Sequence, residues 1–75
     1  MNISHWKVFF GDKSKQDFEL VQAGSILDVA ITARFIRITK GLPHNNITSI
    51  YLFENCNYRY VCDNDEIDYI KSDES

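Results

Sequence analysis

The sequence predicts an α+β domain: a four-stranded antiparallel sheet in β-β-α-β-β order, one helix on one face, and a short acidic C-terminal helix or tail. Three observations lead to it. Short runs of alternating or mainly apolar residues come in two pairs, His5 to Phe10 with Phe18 to Val21, and Ile47 to Phe53 with Tyr58 to Cys62. Between the pairs, Ser25 to Pro43 carries the start and stop signals of a single helix. Finally, six of the eleven carboxylates, Asp63, Asp65, Glu66, Asp68, Asp73 and Glu74, fall in the last thirteen residues, opposed there only by Lys71.

In the first run Trp6, Val8 and Phe10 share one face and His5, Lys7 and Phe9 the other, until Gly11-Asp12 breaks it. The polar stretch Asp12 to Gln16 reads as a hairpin loop, followed by a shorter second strand through Phe18, Leu20 and Val21 that Gly24 ends. Ser25, with Asp28 three residues on, approximates a capping box, and Gly41 followed by Pro43 is a helix stop, so a helix is predicted from Ile26 to Lys40. The competing signal is β-branching at Val29, Ile31, Thr32, Ile36, Ile38 and Thr39, and Arg34 to Thr39 alone could pass for a strand.

At 100° per residue such a helix has two apolar stripes, Leu27, Ile31, Phe35 and Ile38 on one and Ile26, Val29, Ala33 and Ile36 on the other. Arg34 and Arg37 separate them on one side. One sheet face cannot cover both stripes, which predicts that the C-terminal segment, a second protomer or a partner covers the other. Ile47 to Phe53 is apolar on both faces, Ile50 and Leu52 against Ile47, Tyr51 and Phe53, as expected of a central strand. Glu54 to Asn57 is a turn signal, and Tyr58 to Cys62 completes a second hairpin. Asp63 with Glu66 can cap a short last helix bearing Ile67 and Ile70 on one face, and Ser72 to Ser75 is expected to fray. The division expected is one domain over 1–62 and an acidic segment over 63–75.

The 75 residues bear eight Lys and Arg. Residues 1–62 are formally +2 and 63–75 are −5, for a total of −3. The apolar fraction of 44% is too high for a disordered chain, and no apolar run approaches the roughly 18 residues of a membrane span. With no basic-then-apolar leader before Trp6 and only two cysteines, a reducing cytoplasm is expected. A domain this small buries roughly 60% of its unfolded surface, so association would add to a modest stability.

No motif specifies a reaction, and no enzyme activity or cofactor is expected. Cys56, Cys62, His5 and His44 lack the close pairing of zinc ligands. Cys56 with His44 as its base would need two loops to meet and an oxyanion donor. Asp63 to Asp68 lacks the central glycine and distal glutamate of a calcium loop, and Gly11, Gly24 and Gly41 are isolated rather than grouped around a phosphate. Paired carboxylates occur only in the C-terminal segment, where solvation is their ordinary role.

Two binding functions remain. The preferred one is a protein-binding module, in which Asp63, Asp65, Glu66 and Asp68 steer a basic, nucleic-acid-handling partner and Tyr58, Tyr60 and Tyr69 anchor it. A small acidic chain of this kind could occupy such a partner's substrate groove as a phosphate mimic, and in size and composition the chain is similar to the small inhibitors and adaptors that phages and mobile elements encode. The alternative is nucleic-acid binding, with Tyr51, Phe53, Tyr58 and Tyr60 stacking bases, Arg59 among them, and Arg34, Arg37 and Lys40 meeting phosphates. Net charge and the acidic C-terminus disfavour it.

Overall fold

The computed structural model describes residues 3–12 and 14–63. Strands β1 (Ser4–Asp12) and β2 (Lys15–Ala23) form one hairpin, helix α1 (Ile26–Thr39) follows, and β3 (Ile47–Glu54) and β4 (Asn57–Asp63) form the second. The sheet is antiparallel throughout in the order β2-β1-β3-β4, so β1 and β3 are central. The α+β class, the β-β-α-β-β order and the single helix follow the sequence expectation. The expected last helix with Ile67 and Ile70, and the fraying of Ser72 to Ser75, lie outside the described residues.

Both strands of the first hairpin are longer than the alternation predicts. Pairing continues through Gly11↔Gln16 to Asp12↔Lys15, so Asp12, Lys15 and Gln16, expected in the loop, belong to the strands. Lys15 and Gln16 are tolerated because β2 is an edge strand and its other side is not committed to a neighbour in the sheet. Gly11 takes φ 104°, and a Cβ there would lie 2.5 Å from the Lys15 carbonyl oxygen, so only glycine lets the hairpin continue past Phe10. Asp12 closes the turn, its Oδ1 accepting from the Ser14 backbone N–H at 3.0 Å and the Ser14 hydroxyl at 2.7 Å.

The caps settle the contest between helix and strand. Ser25 is extended and its hydroxyl accepts from the Asp28 N–H at 3.3 Å. At the other end Gly41 is left-handed at φ 71°, its N–H donates to Ile38 O, and the Leu42 N–H donates to Arg37 O, a Schellman closure. These end interactions and the burial of Val29, Ala30 and Ala33 against the sheet outweigh the small β preference of the branched residues.

The helix crosses over β2 and β1. The core between them consists of Trp6, Val8, Phe10, Val21, Ala23, Val29, Ala30, Ala33, Ile47, Ile50 and Cys62. The buried Trp6 indole donates to Ala23 O at 3.0 Å, which ties β1 to the end of β2. One placement differs from the alternation rule. Ile47, expected to face the same side as Tyr51 and Phe53, is in the core with Ile50. The register moves from Phe9↔Ser49 to Phe10↔Ile47, so Thr48 is an extra residue, and the bulge turns Ile47 inward. Gly11 secures it, its N–H donating to Asn46 O at 2.9 Å and its carbonyl accepting from the Thr48 hydroxyl.

Candidate binding surface

Strand alternation places Lys7 and Phe9 of β1 on the sheet face away from the helix. The register sets Leu20 beside Lys7 and Phe18 beside Phe9 from β2. From the other side it sets Tyr51 beside Lys7, then Tyr60 beside Tyr51 and Tyr58 beside Phe53. A second bulge skips Val61 between Cys62 and Tyr60, which keeps Cys62 in the core while both tyrosines remain on the open face. The hairpin that presents them turns tightly through Asn55 and Cys56, both at positive φ (51° and 63°), the geometry of a type I′ turn.

The result is a sheet surface carpeted with rings. Phe9 meets Phe18 at 5.8 Å between centroids and Tyr51 at 5.5 Å, Tyr51 meets Tyr60 at 5.6 Å, and Phe53 meets Tyr58 at 5.0 Å. Their tilted and edge-on arrangements are favourable among themselves. Yet no element of the described fold lies over them: Phe18, Leu20, Phe53 and Tyr60 are all exposed. In the middle of the carpet the Lys7 ammonium sits 4.8 Å from the Phe18 ring and 4.3 Å from the Tyr58 ring.

Of the residues the sequence singled out as contacts, Tyr58 and Tyr60 are together on this face. Asp63 ends β4 opposite Ser49, at the margin of the same face. Asp65, Glu66, Asp68 and Tyr69 lie outside the described residues. Phe9 and Phe18 belong to the surface although neither stood out in the sequence. For Phe9 the signal was present, since alternation had already set it opposite Trp6, whereas Phe18 joins only through the hairpin register.

The cations proposed for phosphate contact are placed differently. Arg37 does not separate two apolar stripes at the surface; it is 4% exposed, turned toward the sheet. Its Nη1 donates to Asp17 at 3.0 Å and Glu19 at 3.1 Å, its Nε donates to Pro43 O at 3.0 Å, and its guanidinium lies 4.6 Å over the Phe10 ring. Lys40 pairs with the other Glu19 oxygen at 2.6 Å, and Arg59 with Glu54. Burial pushes the Glu19 carboxyl up, but hydrogen bonds and charge from Lys40 and Arg37 outweigh it and hold Glu19 below its ordinary value. The hydrogen bond to Asp17, against the cost of burial and with help from Glu19, raises Arg37. This cluster borders a groove of about 390 Å³ between the first hairpin and the loop after α1, lined in part by Phe10, Asp17, Arg37, Leu42 and Pro43.

A second apolar surface lies on α1. The stripe of Ile26, Val29, Ala33 and Ile36 faces the sheet, and Ile31, Phe35 and Ile38 of the other stripe are exposed, Phe35 by 64%. His44 precedes β3 and Cys56 follows it, so eight residues of strand, about 25 Å, separate the two proposed members of a dyad. Among the described residues no three of His, Cys, Asp and Glu gather to hold a metal ion, and no helix is long and apolar enough to cross a membrane. No protein-family model, curated protein or solved structure matches the chain.

Proposed function

We propose that the protein is a non-enzymatic binding module whose open sheet face docks onto a basic, nucleic-acid-handling protein in the cytoplasm, as an inhibitor or adaptor. The observation that carries this reading is the ring carpet of Phe9, Phe18, Tyr51, Phe53, Tyr58 and Tyr60, left uncovered by the described fold. Rigid aromatic anchors supply most of the affinity of protein interfaces, and exposed apolar patches of this kind mark such sites. In this reading the acidic segment 63–75, a short helix or tail beginning at the margin of the same face, steers the partner through Asp63, Asp65, Glu66 and Asp68, and Tyr69 adds an anchor. The exposed Phe35 stripe offers a further contact, to the same partner or a second copy.

The nucleic-acid alternative is favoured by one observation, Lys7 among stacked rings, which is the composition of a base-stacking platform. It is weakened by the commitment of Arg37, Lys40 and Arg59 to carboxylates. Counterion release requires cations gathered where the phosphates run.

Three chains separate the readings: wild type, Tyr58→Ala/Tyr60→Ala, and a chain lacking residues 64–75. For a basic protein captured from host extract, the tyrosine variant should bind at least about 30-fold more weakly, as expected for losing anchors worth about 2 kcal/mol. The truncation should slow association and flatten its salt dependence. Truncation that instead strengthens the protein complex and weakens oligonucleotide binding would reverse the ranking.

A further inference from the structure

We infer that the open face receives arginine side chains of its partner on the ring faces that Lys7 now occupies, so that Lys7 is a resident placeholder in a cation site; this rests on the protein-binding reading above.

Lys7 projects from the central strand β1, yet its ammonium touches rings from both edge strands, Phe18 of β2 and Tyr58 of β4. Among the described residues no carboxylate lies within ion-pair distance of it, whereas Lys40 and Arg59 each have one and Arg37 has two. Two ring faces lie within cation–π distance of that ammonium, and their negative potential favours a positive charge there. A surface that holds one cation in this way has the chemistry to hold another. Arginine suits it better than lysine, because the planar guanidinium stacks flat on a ring and is less strongly hydrated.

The surroundings favour a cationic visitor over a polyanion. Asp63 begins, at the margin of the face, a segment with five further carboxylates and one lysine. A phosphate backbone would find, among the described residues, only Lys7 as a cation seated on these rings, with Asp63 at the margin. An arginine-bearing segment meets attraction at the margin and rings at the centre. Its entry requires only that Lys7, a flexible side chain on an open surface, swing into water.

The test is a titration of the full chain with a fluorescent arginine–glycine repeat peptide, a lysine–glycine peptide of equal length and charge, and oligothymidylate. Wild type, Lys7→Met and Tyr58→Leu are compared after circular dichroism has verified their folding. The arginine peptide should bind more tightly than the lysine peptide. Lys7→Met should tighten it about three- to fivefold, the equivalent of one exposed cation–π contact no longer in competition, and Tyr58→Leu should weaken it by a similar factor. Unchanged or weaker peptide binding by Lys7→Met overturns the inference. So does oligothymidylate binding that Lys7→Met abolishes, or a dimer of the free chain that Tyr58→Leu splits. The two readings fail separately. If Tyr58→Ala/Tyr60→Ala loses the captured partner while the peptide is indifferent to Lys7, only the inference falls; if that variant keeps the partner, both fall.

Discussion

The two faces of one sheet are both apolar, and they differ in what covers them. On the helix side Trp6, Val8, Phe10, Val21 and Ile50 are packed to exclusion of water, and the one charged cluster admitted there is internally neutralised. On the other side rings of comparable size pack against one another, at 5.0–5.8 Å between centroids, with Phe18, Phe53 and Tyr60 exposed to solvent. Residue type does not separate these faces, since phenylalanine occurs on both. The difference is the helix, a single layer that covers one side. Apolar burial stabilises the fold where the helix covers the sheet, and on the other face, which no described element covers, the same chemistry is what the proposed recognition would use.

The sharpest way to break this comparison is to truncate matched rings on the two faces. Phe10→Ala opens a cavity in the sealed face and should cost about 3–5 kcal/mol, enough to leave a domain of this size marginal at best. Arg37→Ala comes next, at about 3 kcal/mol, because it leaves Glu19 buried with only Lys40. Arg37→Met/Glu19→Leu should recover part of that loss, since an apolar pair of similar bulk strands no charge. Both sets are read by urea denaturation.

The same cluster sets an acid dependence. Glu19 is held below its ordinary 4.5, so the native state binds fewer protons than the unfolded chain. Its contribution is complete above that value and is lost as pH falls through the lower folded one. Thermal melts should therefore decline with acidification through this range, more steeply for wild type than for Glu19→Gln. The smallest effect is expected on the open face. Phe53→Ala removes one cross-strand ring pair and should cost about 1 kcal/mol or less in the same denaturation, while weakening partner binding far more than its stability change implies. A loss comparable to that of Phe10→Ala would mean that the open face is a second core, and the contrast between the two faces would collapse.

The aromatic surface was half legible in the chain. Tyr51, Phe53, Tyr58 and Tyr60 could be grouped because they lie on two strands joined by an evident turn. Phe9 and Phe18 could not be joined to them by inspection, because β1 meets β3 only across the helix crossover, and no local signal encodes that pairing. Arg37 shows the same gap in reverse. Its spacing placed it with Arg34 at a polar boundary, but Asp17, Glu19 and the Pro43 carbonyl, distant in sequence, supply enough partners to hold it in a buried position.

The sequence by itself indicated the four strands, one helix between the two pairs and their order, because caps, turns and alternation are local: Ser25 begins the helix, Gly41 ends it, and Trp6, Val8 and Phe10 must face one way, although β-branching left the helix contested until its caps closed in the structure. It also determined that the chain has more apolar surface than one helix and one sheet face can bury. Which sheet face the helix covers was decided by tertiary structure. The strand order, the bulge that turns Ile47 inward and the ion cluster that draws in Arg37 all rest on pairings between distant segments, whose energies exist only once the chain has closed upon itself.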